Sequence, residues 1–223
     1  MFCCILQSIL LTNILYHCMW GIVMNIEESE CYKSYSCYNR TENCSSACSL
    51  DCAGKYSCKD LNVTCLHGSS CTLKCNGEYA CSGSLFGHWT TECRGNYSCG
   101  RLNIDCSEGT PCRVICSGSY SCSGSHLIIQ MVHCNARYSC GSFVSDHQFT
   151  ASCPKGIKCQ AKCFGPFSCF KAIFTGHWSI VCKGNFSCRG IEATCPGRKY
   201  CSVTCSGKRS CTRKELTGQW ILL

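Results

Sequence analysis

Six cysteines recur at fixed intervals along this chain, and that recurrence restricts the fold more than any other feature of the sequence. From Cys52 onward the chain divides into four copies that begin at Cys52, Cys93, Cys134 and Cys182, with lengths of 41, 41, 48 and 42 residues. The first two copies align without a gap, and the fourth keeps all six cysteines at the same spacing. The third is longer between Cys140 and Cys153, where an inserted loop is expected. Self-similarity at such a period marks repeat architectures, in which each unit buries its apolar face only by stacking on its neighbours. Residues 26–51 read as a degenerate half-copy that caps a repeat region spanning 52–223, since an end repeat has a single neighbour.

Each copy carries the heptapeptide C-x-G-x-[Tyr/Phe]-[Ser/Ala]-C twice in near form, starting at Cys52, Cys75, Cys93, Cys116, Cys134, Cys163, Cys182 and Cys205. Its third position holds Gly54, Gly77, Gly95, Gly118, Gly165, Gly184 and Gly207, with Ala136 as an exception. This is the residue that a tight turn with positive φ asks for. Alternating runs follow, such as Leu61-x-Val63-x-Cys65, Leu102-x-Ile104-x-Cys106, Phe149-x-Ala151-x-Cys153 and Ile191-x-Ala193-x-Cys195. A second set runs Cys71-x-Leu73-x-Cys75, Cys112-x-Val114-x-Cys116, Cys159-x-Ala161-x-Cys163 and Cys201-x-Val203-x-Cys205. A period of two puts the aliphatic and cysteine side chains on one face of a strand. Short strands, turn residues and heptapeptide starts 18 to 29 residues apart predict an all-β fold: a disulfide-stapled parallel β-solenoid of about eight short coils, preceded by an N-terminal apolar helix. At about 4.8 Å per coil it would span roughly 40 Å. A string of independent disulfide modules competes less well, because no linker separates the copies.

The chain has 31 cysteines among 223 residues, a load that a reducing cytosol would leave as reactive thiols, so an oxidising compartment is expected. Three of them (Cys3, Cys4, Cys18) precede residue 26, and the 28 from Cys31 to Cys211 are an even number able to close 14 disulfides. Within the repeats the expected half-cystines are Cys52, Cys58, Cys65, Cys71, Cys75, Cys81, Cys93, Cys99, Cys106, Cys112, Cys116 and Cys122 in the first two copies. Those of the last two are Cys134, Cys140, Cys153, Cys159, Cys163, Cys169, Cys182, Cys188, Cys195, Cys201, Cys205 and Cys211. Cysteines stacked on adjacent coils, or facing each other across a narrow coil, both fall within the reach of a disulfide, so pairing stays open.

The alternation of CxGxxSC with aliphatic-x-aliphatic-x-Cys, as in CRGNYSCGRLNIDC and CKGNFSCRGIEATC, resembles the cysteine-rich repeat proteins of unicellular eukaryotes. Those are similar in turn to right-handed parallel β-helices of the pectate-lyase kind. The resemblance covers about Cys52 to Cys211 and implies a right-handed solenoid; it brings no catalytic residues.

Residues 1–25 are apolar and free of Asp, Glu, Lys and Arg, which predicts a signal peptide, with retention as a signal anchor as the alternative. The chain is therefore expected to be secreted or to face outward at the cell surface. Sequons at Asn39, Asn62, Asn96 and Asn185 are expected glycosylation sites, with Asn43 the weakest of five because Cys44 is its middle residue.

Enzymatic chemistry finds little support. The acids are sparse, Asp105 and Glu108 being the closest approach, and no G-x-S-x-G or nucleotide fingerprint occurs. No C-x2-C pair occurs, so no metal and no cofactor are expected. No Thr-x-Thr stripe repeats, which argues against ice binding. Two features suit binding. An aromatic recurs at the fifth heptapeptide position as Tyr56, Tyr79, Tyr97, Tyr120, Tyr138, Phe167 and Phe186, forming a ladder whose rings stack on one another or on sugars. A Gly-[His/Gln]-Trp element at Gly87-His88-Trp89, Gly176-His177-Trp178 and Gly218-Gln219-Trp220 reads as packing under a long turn.

Charge is polarised. Residues 1–149 hold nine Lys or Arg against eleven Asp or Glu, whereas 150–223 hold twelve against two. Lys155, Lys158, Lys162, Lys183, Arg198, Lys199, Lys208, Arg209, Arg213 and Lys214 suit acidic extracellular or cell-wall glycans. The expected role is non-enzymatic and structural, adhesive or glycan-binding, with a carbohydrate-active β-helix enzyme as the alternative. Nucleic acid is not an expected partner, and a membrane is one only if the leader is retained.

Overall fold

The computed structural model describes residues 29–45, 47–66, 69–106, 111–142, 148–197 and 200–223. The expected leader and apolar helix fall outside these residues, as do part of the third-copy insertion, Glu108, Arg198 and Lys199. The described residues contain no helix, and so none long and apolar enough to cross a membrane.

Strands alternate between two wholly parallel sheets. The first holds β1 (Ser29–Glu30), β3 (Ser49–Cys52), β5 (Cys71–Cys75), β7 (Trp89–Cys93), β9 (Arg113–Cys116), β11 (Met131–Cys134), β13 (Cys159–Cys163), β15 (Trp178–Cys182), β17 (Cys201–Cys205) and β19 (Trp220–Leu222), in that spatial order. The second holds β2 (Thr41–Cys44), β4 (Leu61–Cys65), β6 (Gly83–Phe86), β8 (Leu102–Asp105), β10 (His126–Ile128), β12 (Thr150–Ser152), β14 (Ile173–Thr175), β16 (Glu192–Thr194) and β18 (Glu215–Thr217). Each coil contributes one strand to each sheet, and each copy is two coils. The chain is thus the expected β-solenoid, with the opening segment adding a further coil before Cys52.

Register stacks equivalent residues. Cys52, Cys75, Cys93, Cys116, Cys134, Cys163, Cys182 and Cys205 form one continuous column. The interior is lined by the alternate residues of each strand, buried in β5, β7, β13 and β15 at the first, third and fifth positions. Neighbouring coils compensate in volume: Ala151, Phe174 and Ala193 follow one another in one inner column. Phe174 packs edge-on against Phe149 and Trp178, at 6.2 and 5.4 Å between ring centroids. Such interdigitation of large and small side chains is how a narrow interior reaches close packing.

Two corners close every coil. From the first sheet to the second the chain turns through the heptapeptide. From the second back to the first, the coils from Cys52 onward alternate between a disulfide loop and a shorter turn. In the Gly-[His/Gln]-Trp element this turn is a tight corner, which corrects the expected long turn. Gly87, Gly176 and Gly218 take φ of 88, 105 and 96° there. A Cβ on Gly87 would also stand 2.0 Å from the Cys65 carbonyl oxygen, so glycine is required twice over. The tryptophans pair in register with half-cystines of the disulfide loops: Trp89 with Cys71, Trp178 with Cys159, Trp220 with Cys201. Their indole N–H groups donate to Phe86, Thr175 and Thr217 carbonyls at 2.8–3.0 Å. Where the tryptophan is absent, Ile129 fills the interior. The Gln130 side-chain oxygen there accepts from the Cys112 N–H at 2.6 Å, a bond that the His88 carbonyl makes to Cys71.

Candidate functional site

The heptapeptide corner carries the features of functional interest, and its geometry follows from how it satisfies its backbone. Tyr97 N–H donates to Ser119 on the following coil at 2.9 Å, while Cys99 N–H donates to Ala80 on the preceding coil at 2.8 Å. Alternate residues of this corner are left-handed. Position five (φ 53–60°) and position seven (φ 51–59°) are so in every heptapeptide. The expected positive φ at the third-position glycine is therefore corrected. That glycine serves close approach instead: a Cβ on Gly77, Gly95 or Gly118 would fall 2.0–2.1 Å from the carbonyl oxygen of the equivalent glycine one coil back. At Ala136 the backbone yields. Gly95 and Gly118 N–H groups donate to the cysteine carbonyl of the preceding coil, whereas Ala136 N–H turns to its own Ser139 hydroxyl at 3.2 Å.

Two left-handed non-glycine residues cost each corner about 2–4 kcal/mol. A six-residue disulfide offsets about 2 kcal/mol, and ring stacking about 0.5–1.5 kcal/mol more. Every cysteine from Cys31 to Cys211 is in one of 14 disulfides, and pairing is local. Thirteen of them join residues six apart, within one corner, and Cys44–Cys48 joins residues four apart. None joins adjacent coils or spans a coil, the two arrangements that stacking alone left open. Sulfurs of neighbouring coils, such as Cys75, Cys93 and Cys99, come within 4.8 Å of one another. Each is committed to a disulfide and has no thiolate to offer a metal.

The aromatics form the ladder, and it begins one coil earlier than the heptapeptide pattern indicates. Tyr35 stacks on Tyr56, and Tyr56, Tyr79, Tyr97 and Tyr120 follow with centroids 4.9–5.2 Å apart. Tyr138, Phe167 and Phe186 continue it, and Arg209 lies over Phe186 at 5.8 Å. Ring faces between successive coils are therefore taken up by ladder neighbours, leaving the edges to face outward.

Those edges form one wall of a groove of about 530 Å³ that crosses successive coils. It is lined by Tyr56, Tyr79, Tyr97 and Tyr120 together with Lys59, Ser82, Gly100, Arg101, Ser123, Gly141 and Ser142. The opposite wall is the residue directly after each heptapeptide. It is small at Ser82, Gly100, Ser123 and Gly141, and bulky at Phe170, whose ring meets Phe167 edge-on at 6.4 Å and 69°. Sequence reading missed this groove; its signal is the run of small residues at that one repeat position.

The same corner is cationic towards its C-terminal end. Lys171, Lys183, Arg189, Lys208, Arg209 and Arg213 belong to the last heptapeptides and the residues just after them, and Lys183 lies 5.4 Å from the Phe164 ring. Lys155 and Lys158 sit instead in the Cys153–Cys159 loop at the opposite corner, and Lys162 on the outer face of β13. The basic residues thus divide between faces, with the heptapeptide corner holding the denser group.

Elsewhere, Asn39, Asn43, Asn62, Asn96 and Asn185 are all exposed. Ser98 and Ser187, the third residues of two sequons, are fully buried, and the Ser98 hydroxyl donates to Gly95 at 2.7 Å. On the second sheet's outer face, Glu192 and Glu215 stand in register on adjacent strands. The alignment of copies hides that pair because its members fall in different halves of the fourth copy. Beside it runs one hydroxyl column, Ser152, Thr175, Thr194 and Thr217, with Ser152 and Thr175 hydroxyls 2.8 Å apart. It is single: its companion column reads Thr150, Ile173, Glu192, Glu215. Comparison with known protein families, curated proteins and solved structures gives no match for this chain.

Proposed function

We propose that this protein is a non-enzymatic extracellular structural element, a secreted or surface-exposed rod that holds acidic glycans of a matrix or wall against the cationic end of its heptapeptide corner. The observation that carries the reading is the conjunction of a fully disulfide-bonded stack, typical of extracellular proteins, with six cations in and just after the last heptapeptides of one corner, Lys183 beside the Phe164 ring and Arg209 over Phe186. Each coil is stapled by its own disulfides, so the corner keeps its spacing without a large core. Glycosylation at Asn39 and Asn62 belongs to the same reading, while Asn96 and Asn185 would have to be modified before Ser98 and Ser187 are buried.

The test is binding of sulfated and uronic-acid oligosaccharides to the protein from a eukaryotic secretory host, beside the triple variant Lys183→Gln/Lys208→Gln/Arg209→Gln. At least tenfold weaker binding by the variant, with wild-type affinity falling as salt rises, is expected. Absent or unchanged affinity would sink the glycan reading. Free thiols in the secreted protein, counted by alkylation without reduction, would sink the extracellular one.

A further inference from the structure

The tyrosine-edged groove is separate from the cationic end and has a different chemistry. The geometry points to a second binding site there, for an elongated, planar aromatic anion lying along the solenoid axis. The protein itself indicates what fits. Phe170 occupies the position directly after its heptapeptide, and its ring meets the edge of the ladder ring Phe167 at 6.4 Å and 69°. The next residue down that column is Gly141, whose built Cβ would stand 3.3 Å from the Phe170 Cβ. Below Gly141 come Ser123, Gly100 and Ser82 and then Lys59, so the place that Phe170 fills on its own coil is held by a small residue on the four coils before it.

A ring face set against a ring edge is a favoured aromatic geometry, because the positive rim of one ring meets the negative face of the other. Tyr56, Tyr79, Tyr97 and Tyr120 repeat that rim every 4.9–5.2 Å. A ligand with several linked, coplanar rings can therefore lay one face along the whole run, whereas a single ring engages only one or two coils. Lys59 at one end gives the groove positive charge, which selects anionic substituents over cationic ones. The straight run of coils also selects for rigidity, since a preorganised ligand loses little entropy on binding.

The probe is Congo red, a linear disulfonated bis-azo dye, added to the intact disulfide-bonded protein. Saturable binding with an induced circular dichroism band is expected. The decisive variant is Ser123→Phe, which places a ring where Phe170 shows that the fold accepts one. It should weaken binding at least tenfold while the far-ultraviolet spectrum and the unreduced mass pattern stay those of wild type. Lys59→Gln should weaken binding severalfold, and a cationic benzothiazole dye should not compete. No saturable binding, or equal affinity in wild type and Ser123→Phe, would overturn the proposal. Loss of dye binding in the Lys183→Gln/Lys208→Gln/Arg209→Gln variant with none in Ser123→Phe would assign the dye to the cationic end and overturn it as well. None of these outcomes bears on whether acidic glycans bind the cationic end.

Discussion

Because pairing is confined to single corners, removing one disulfide should loosen one coil and leave the rest of the rod intact. The clearest case is the paired change Cys116→Ala/Cys122→Ala. Closing a loop over a separation of six is worth about 2 kcal/mol in the chain-entropy account. Both half-cystines are buried, at 0 and 1% exposure, so trimming each sulfur removes about 1 kcal/mol of packing more. The loss, about 4 kcal/mol, corresponds to roughly a thousandfold rise in opening at that corner. Hydrogen exchange with mass spectrometry reads it directly. The Tyr120 N–H, bonded to Arg137 at 3.1 Å, and the Cys122 N–H, bonded to Ser98 at 2.9 Å, should lose protection by about that factor. The Cys58 and Cys188 amides, held by Ser36 and Ser168 two or more coils away, should change little, because stability in a solenoid is passed only between neighbours. Protection lost along the whole chain, or unchanged at Tyr120 and Cys122, would refute the local-staple argument.

Two further outcomes test the corner and the first sheet. Gly118→Ala should force the rearrangement that Ala136 shows, moving the residue-118 N–H from the Cys93 carbonyl to the Ser121 hydroxyl. Exchange of that amide should quicken by an amount equal to about 1 kcal/mol, one inter-coil hydrogen bond; unchanged exchange would mean that the 2.0 Å approach is relieved otherwise. Burial, with Lys162 and then Arg113 nearby, holds the His133 imidazole below its usual 6.5. The native state therefore keeps it neutral where the unfolded chain takes up a proton, so its contribution is full above 6.5 and is lost as pH falls towards the lowered native value. Protection of β11 amides should fall between pH 7 and pH 5 in wild type and less so in His133→Gln, and a nuclear magnetic resonance titration should place His133 below 6.5.

What the sequence discloses follows from which physical constraint leaves a mark on residue type. Alternation in Cys71-x-Leu73-x-Cys75 reports a strand face directly, since inward positions must be apolar, and it assigned the core correctly. The glycine at the third heptapeptide position reports only that a Cβ is unwelcome. Left-handed backbone and close approach erase the same atom, so the two uses look alike until Gly118 is seen 2.0 Å from the Gly95 carbonyl oxygen. Disulfide pairing is hidden for a similar reason: register places Cys52, Cys75 and Cys93 in one column, where partners along the stack and around the corner both fall within the reach of a disulfide. The coil before Cys52 is masked by Lys33, which stands where later coils, apart from the one with Ala136, have glycine.

The residues that deviate from local preference explain why the corner is rigid. Tyrosine and cysteine are poor choices for left-handed backbone, yet every coil places an aromatic or Arg209 at position five and a cysteine at position seven. The N–H groups of those residues make inter-coil hydrogen bonds, and the side chains at the same two positions supply the compensation, one by stacking and one by covalent closure. The arrangement joins stability to surface, because the rings that stabilise the left-handed residues also present their edges along the groove. A substitution at Tyr97 would then be felt twice, as a weaker coil and as a gap in the groove wall. Ser123→Phe alters the opposite wall alone, which is why it separates binding from folding.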